Sequence, residues 1–515
     1  MDATLREARP ESHRIPTAKW TSRSSDDRST LRIVLALVTA AAVALPFAIV
    51  RFPPATDLPQ HVAQLRLFLD AMGNPHSAYR IQWFTPYNLV YALLGIAWVC
   101  CGPLTAGRMA LLALGLLWVA ATHLLAAERR RPPEAAALAS LLFFSPILYW
   151  GFVSFAMGWP VFLLWLVVTT RAPAERFTWR PALALFGGAV LLYMSHALWF
   201  AAGMTWLALH SIVFRVPWRI AAWRVASVSP ILVAAALWYP HLAASGFVSD
   251  TVWTSTPIER LSFAWLASTA AGGLRGPAKY AMLATLLGWI GLSAWQHRRT
   301  FWYLVDRELL LAGALCSAGA LLLPYEYMNT IEFAERWTPP ALALLVLAVP
   351  RPAVKPLILR AAACAVVVVF SLSTALAWNR FERTELSGLQ ESLAALPDSP
   401  RVVELDLLKG SAVVDKWPFL HVYAYAQVLH GGTLYFSFAA FAPMPVILKD
   451  RRNPPWAAGR AWGAEVKDLA DLRFFDFAIV GGDADLQERY AALASLTPVT
   501  QDGVWRLYRI RQPPQ

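Results

Sequence analysis

Trp83-Phe84-Thr85-Pro86-Tyr87-Asn88-Leu89-Val90-Tyr91-Ala92-Leu93-Leu94-Gly95-Ile96-Ala97-Trp98-Val99-Cys100-Cys101 is an apolar run long enough to be a membrane span, and whether it crosses decides the fold. An apolar block at 31–50 precedes it and another at 109–127 follows it. If all three crossed, every later arginine cluster would face outward. Those clusters are Arg129–Arg131, Arg171/Arg176/Arg180, Arg215/Arg219/Arg224, Arg298/Arg299/Arg307 and Arg351/Lys355/Arg360, fifteen cations in five loops. The opposite loops after Arg108 hold only four, Arg260, Arg275, Lys279 and Arg336. Basic loops stay on the cytoplasmic side, so the Trp83–Cys101 run is expected to lie at the interface without crossing. It opens with Trp83, Tyr87 and Tyr91 between Pro86 and Pro103, as an aromatic-anchored interfacial helix would.

Working outward from that stretch, spans are expected near 31–50, 109–127, 135–150, 158–170, 181–195, 197–214, 225–243, 278–295, 308–323, 338–350 and 361–378. Eleven spans place the N-terminus in the cytoplasm and the C-terminus in the periplasm. The fold expected is an all-α polytopic membrane protein of about 11 transmembrane helices, with interfacial helices in the first outer loop (51–108). The 57% hydrophobic and 15% charged composition of the 515 residues agrees with this. It also removes the nucleic-acid partner that a net charge of +12 would suggest. Residues 1–378 hold 30 Lys/Arg against 17 Asp/Glu, whereas residues 379–515 hold 15 against 16. Cys100, Cys101, Cys316 and Cys364 all lie in apolar segments, without the spacing of a disulfide framework or a thiolate metal site.

Residues 1–30 are polar and aperiodic and are expected to form a disordered cytoplasmic tail. Residues 379–515 are expected to fold as a small α/β periplasmic domain. An amphipathic helix should run from Asn379 to Leu396, and strands from Arg401 to Leu407 and Phe475 to Val480, with a hairpin 496–500 and 504–510. Helical patterns at 417–430 and 485–495 fall between these strands. Trp417, His421, Tyr423, Tyr425 and His430 form an aromatic stripe that reads as core or as a sugar-stacking face.

Chemistry is confined by this map to the outer side. Of the twelve Asp and Glu between residues 31 and 378, Asp57, Asp70, Asp250, Glu259, Glu326, Glu332 and Glu335 face outward, and none is expected mid-span. An ion-coupled transporter would place ionisable groups along its path at mid-depth. The sharpest feature is Pro53-Pro54-Ala55-Thr56-Asp57-Leu58-Pro59-Gln60-His61, followed by Leu58, Val62, Leu65, Leu69 and Met72 at helical spacing, an amphipathic helix expected on the membrane surface. Asp57 with Pro59 and Gln60 is also a good helix N-cap arrangement.

Taken together, the acidic residue after the first span, the two interfacial helices and the outward terminal domain resemble the GT-C membrane glycosyltransferases. Aminoarabinose transferases and protein O-mannosyltransferases are of this kind. The resemblance covers residues 31–378 in architecture, with Asp57 and Arg336 as matched positions. It implies a polyprenyl-phosphate sugar donor, a lipid, glycan or protein acceptor, and Asp57 as general base, or as the group orienting the acceptor hydroxyl, in an inverting transfer. Thr56 and Leu58 flank Asp57 where family members often carry a second acid, so no cofactor is certain and a divalent metal stays open.

The remaining candidates surround the same water layer. His61, one turn after Asp57, is a substrate ligand or an ordinary interfacial polar group. His196 sits in the turn between two spans, as a substrate ligand or a hydrogen-bonded turn residue. Arg336 is suited to a phosphate leaving group, its bland alternative being an ion pair with Glu332. Arg275 and Lys279 are second-rank cations for that phosphate. The resulting reading is a glycosyltransferase of a bacterial inner membrane, its rival a non-enzymatic lipid-linked glycan transporter or envelope-assembly protein. Reporter fusions after Ala127 and Arg299 should report cytoplasm, and fusions after Met72 and Leu396 periplasm. A cytoplasmic signal at Leu396 would sink the eleven-span map.

Overall fold

The structure, a computed structural model, describes residues 23–171, 178–244, 251–328, 330–406, 408, 410–449, 472, 474–493 and 495–511. Residues 1–22 of the expected tail, Arg176, Asp250 and Leu407 lie outside the described residues. Helix α1 (Arg23–Ile49) begins ahead of the expected span. There follow α2 (Leu58–Gly73), α3 (Asn88–Cys101), α4 (Pro103–Glu128), α5 (Pro133–Ser140), α6 (Pro146–Trp150) and α7 (Val153–Arg171). Next come α8 (Trp179–Ser195), α9 (Ala197–Val213), α10 (Trp218–Ala244), α11 (Phe263–Ala271), α12 (Ala278–Gln296), α13 (Phe301–Leu304), α14 (Arg307–Leu322), α15 (Thr338–Ala348) and α16 (Pro356–Glu385).

Helix occupies every segment expected to span. Six stretches among the described residues are long and apolar enough to cross a bilayer: 30–49, 103–128, 133–150, 153–171, 218–240 and 356–385. The chain is a multi-pass membrane protein. Helix α3 has 14 residues, a rise of about 21 Å, which falls short of a hydrocarbon core of about 30 Å.

Three local expectations give way. The aromatic anchors of α3 do not all face lipid, since Tyr91 is 8% exposed and turned inward, while Trp83 remains 71% exposed. Helix α2 does not lie on a surface: Leu58 through Gln64 are all buried. It is clamped between α4 and the C-terminal region. On one side Gly107 of α4 leaves room for Leu58 and Val62, where a Cβ would sit 2.9 Å from a Val62 methyl. On the other side Gln60 accepts from the Phe438 amide at 3.1 Å and donates to the Phe436 carbonyl at 3.1 Å, and Gln64 accepts from the Val446 amide at 3.1 Å. Third, the amphipathic helix expected at 379–396 is not separate. Its first half continues α16 to Glu385, and α17 (Leu389–Ala394) restarts after Gly388, whose φ is +80°.

The C-terminal region carries β2 (Arg401–Asp406), α18 (Ala424–His430), β3 (Thr433–Leu434), β4 (Val446–Leu448), β5 (Phe477–Gly481), α19 (Ala484–Ala491), β6 (Leu496–Pro498) and β7 (Trp505–Ile510). The sheet order is β3-β2-β5-β7-β6, parallel from β3 through β5 and antiparallel after it. A separate pair joins β4 to β1 (Tyr79–Ile81) of the first loop, with Arg80 opposite Ile447. The first loop and the C-terminal region are therefore laced together by backbone as well as by the glutamines of α2.

Candidate active site

Asp57 is positioned by a break in helix. Helix α6 stops at Trp150, and its terminal carbonyls have no partner within the helix. The loop before α2 uses them: the Thr56 amide and hydroxyl both donate to the Tyr149 carbonyl at 3.0 Å, and the Asp57 amide donates to the Trp150 carbonyl at 2.9 Å. This docking requires glycine at 151. Its φ is +77°, and a Cβ there would lie 2.7 Å from the Asp57 nitrogen.

The side chain of Asp57 makes no N-cap hydrogen bond, so capping does not account for it. Its carboxyl is 18% exposed, and Oδ1 lies 3.5 Å from His421 Nε2. Burial pushes its pKa up to about 7, with the nearby Arg336 charge opposing the rise. His421 is held by ring stacking on Phe436 and edge contact with Phe438, and burial lowers its pKa to about 3, leaving it neutral. His61 also stays neutral, lowered to about 3 by burial. Its Nδ1 is 2.7 Å from the Tyr91 hydroxyl and its ring meets Phe438, so it positions this wall of the site.

Arg336 is 7% exposed and lies flat on Phe152, its guanidinium carbon 3.5 Å from the ring centroid. Nε and one terminal nitrogen donate to the Ile331 carbonyl at 3.1 and 2.8 Å. The other terminal nitrogen makes no hydrogen bond among the described residues. Burial lowers its pKa to about 10, against the nearby Glu332, Tyr87 and Asp57, so it remains charged at neutral pH. The ion pair with Glu332 allowed by the spacing is not made: Glu332, at a φ of +49°, pairs with Lys416. No ion pair joins Arg336 to Asp57 among the described residues.

His196 caps α9, its Nδ1 accepting from the Leu198 amide at 3.1 Å, as expected of a turn residue. It also lines the same space, edge-on to Tyr87 at 4.9 Å and to Phe155 at 5.5 Å, and burial followed by the Arg336 charge lowers its pKa. Arg275 and Lys279 are committed elsewhere. Lys279 binds Asp415 at 3.0 Å, while Arg275 donates to the Ser411 carbonyl at 2.7 Å and is 3.9 Å from Asp415. They fasten the 411–415 segment to the first turn of α12 and the loop before it. The geometry therefore brings together Asp57, His61, His196 and Arg336, adds His421 and Tyr87, and leaves Arg275 and Lys279 as fasteners. His421 was visible in the aromatic stripe, but nothing local in the sequence aims it at Asp57.

Among the described residues no cluster of three His, Cys, Asp or Glu side chains is arranged to hold a metal ion. Asp57 has no second carboxylate beside it, and His61 is engaged with Tyr91. This donor set does not fit a metal.

Neither a family model nor a curated protein matches the sequence. Solved structures do. ArnT from Cupriavidus metallidurans in the apo state aligns over 96% of this chain and 100% of its own, with a TM-score of 0.54 at 13% identity. The chain has the fold of ArnT. The same protein bound to undecaprenyl phosphate aligns over 95% of this chain at a TM-score of 0.53 and 14% identity. ArnT is an aminoarabinose transferase, a GT-C glycosyltransferase, so the fold likeness agrees with the resemblance drawn from residues 31–378.

A carboxyl group raised from 3.8 to about 7 binds a proton in the folded state that the unfolded state has released. Its contribution to stability therefore falls as pH rises from about 4 to about 7, and is constant on either side. Asp57→Asn removes this contribution. The difference in thermal midpoint between Asp57→Asn and wild type should move in favour of the variant over that window and then level off. A difference independent of pH would show that Asp57 titrates as an ordinary exposed carboxylate.

Proposed function

We propose that this protein is a GT-C glycosyltransferase of a bacterial inner membrane, moving a sugar from a polyprenyl-phosphate donor to a lipid, glycan or protein acceptor at the periplasmic face. The reading rests most on one observation: Asp57, which makes no cap bond, and Arg336 lie near enough for each charge to act on the other, yet no ion pair joins them among the described residues. The ArnT fold supports a lipid-linked sugar transferase, and the undecaprenyl phosphate of one ArnT structure supports a polyprenyl lipid as partner.

The chemistry follows from the two groups. A carboxyl group of pKa about 7 is matched to proton removal near neutral pH. Ionised Asp57 takes the proton of the acceptor hydroxyl as that oxygen attacks the anomeric carbon. The bond from that carbon to the phosphate oxygen breaks, and the pair of electrons leaves with the lipid phosphate. Arg336 meets this charge with its free nitrogen, held in place by Ile331 and Phe152. Attack from the Asp57 side with departure toward Arg336 inverts the anomeric centre. Neutral His421 can donate its Nε2 proton to the Asp57 carboxylate, steadying the ionised form, and Tyr87, Phe155 and His196 keep water from the bond being broken.

Asp57→Asn should lower sugar transfer by about a hundredfold or more in membranes holding equal amounts of protein. Folding should be little affected, because the native side chain makes no cap bond. Equal rates would remove Asp57 from catalysis and leave the assignment on the fold alone.

Arg336→Lys keeps the charge but loses the planar stack and the fixed donor, so activity should fall less than with Arg336→Ala. Transfer is to be measured beside protein abundance. Full activity of the Ala variant at normal abundance would take Arg336 out of the site.

A further inference from the structure

A second polar construction lies at the far end of α4 from α2. With 26 residues, α4 carries the chain about 39 Å from the Asp57 end to the turn Arg129–Arg131. There a cavity of about 550 Å³ is lined by Arg32, Arg130, Arg131, Arg351 and Arg360, with Glu134 as the single carboxylate. Five cations surround one anion.

Two of the cations are fixed by helix ends. Arg131 donates to the Leu347 and Ala348 carbonyls at 2.8 and 2.7 Å, closing α15, and Arg32 donates to the Arg131 carbonyl at 3.0 Å beyond α4. Arg351 and Arg360 share fully buried Glu134, at 2.7 and 3.4 Å. Arg360 Nε is the atom 3.4 Å from Glu134, and neither it nor the buried Nε of Arg351 makes a hydrogen bond among the described residues. The Arg130 side chain makes no hydrogen bond or ion pair among those residues, and the residue holds a φ of +52°, a conformation that an arginine seldom adopts. The site thus keeps a surplus of positive charge, with the Arg130 guanidinium unpaired among the described residues.

Its surroundings point to lipid. Leu304 lines the cavity, and the adjoining Trp302 and Tyr303 are 64% and 86% exposed, an aromatic pair of the kind found at headgroup depth. Leu357 and Ile358, on the first turn of α16, are 77% and 57% exposed beside Pro356, which also lines the cavity. We propose that this cavity binds the phosphodiester headgroup of an anionic glycerophospholipid from the leaflet at this end of the bundle, with its acyl chains along Leu357 and Ile358. Guanidinium groups pair with phosphate oxygens through two parallel donors, and basic pockets between membrane helices recruit such headgroups. The bound phosphate would pair with the guanidinium groups that the one carboxylate leaves in excess and tie α1, α4, α15 and α16 together.

The test uses the full-length protein in nanodiscs of phosphatidylcholine, with or without phosphatidylglycerol, and native mass spectrometry of the lipid that it retains after transfer to detergent. Phosphatidylglycerol should be retained over phosphatidylcholine and should raise the thermal midpoint. Asparagine tolerates positive φ, so Arg130→Asn removes the charge without further backbone strain and should weaken retention about fivefold, the worth of one basic residue near anionic lipid. Arg360→Gln should weaken it too. Equal retention of the two lipids, or retention unchanged in both variants, would overturn the proposal. Inorganic phosphate giving the same rise in phosphatidylcholine discs would overturn the lipid source, leaving a free-anion site.

Discussion

The break at Gly151 is the constraint on which the site depends. Bare carbonyls inside a membrane protein must find donors, because lipid supplies none. Here the donors come from the Thr56 and Asp57 backbone, so the end of α6 and the start of α2 are fixed to one another. Each residue beside that junction is then assigned a task by its place. Tyr149 is the packing surface for Gly273, Phe152 is the platform for Arg336, and Asp57 is turned into the space between. A helix that ran unbroken through residue 151 would offer neither the carbonyls nor the approach.

Burial without pairing gives the site its electrostatic character. Taking a carboxylate and a guanidinium out of water costs each its hydration, and a direct ion pair would return part of that cost. Asp57 and Arg336 are both moved toward their neutral forms by burial, and each only partly moved back by the other's charge. The fold sustains this with satisfied neighbours: Ile331 and Phe152 under Arg336, and Phe436 and Phe438 around His421. A carboxyl poised near neutrality and a cation with a free donor are what proton removal on one side and phosphate departure on the other require.

Local pattern carried much of this into the sequence. Apolar period and length marked the long apolar helices, alternation marked β2 and β5, and the offset of Asp57 from the first apolar block marked the loop that holds it. What could not be read is long-range. Gln60 meets Phe438 across 378 positions and Gln64 meets Val446 across 382, so α2 looked like a surface helix whose polar face sought water, when that face is spent on backbone of the C-terminal region. Asp57 looked like a cap for a similar reason. Composition around it suits capping, but its backbone is itself helical, at φ −86° and ψ −8°, and the carboxyl is left free for a partner no local rule could name.

Arginines here have more than one task. A helix end presents unpaired carbonyls, and a guanidinium can close several at once. Arg131 does this for α15, while Arg260, wholly buried on the other side of the topology, donates to the carbonyls of Ala320, Leu321 and Leu323 at the end of α14. Of the four cations that follow Arg108 on that side, Arg260 is thus a cap, and Lys279 and Arg275 hold the Asp415 segment. Of the four, Arg336 is the one whose charge acts on Asp57. Elimination by structural task therefore leaves the same arginine that the proposed chemistry of a phosphate leaving group asks for.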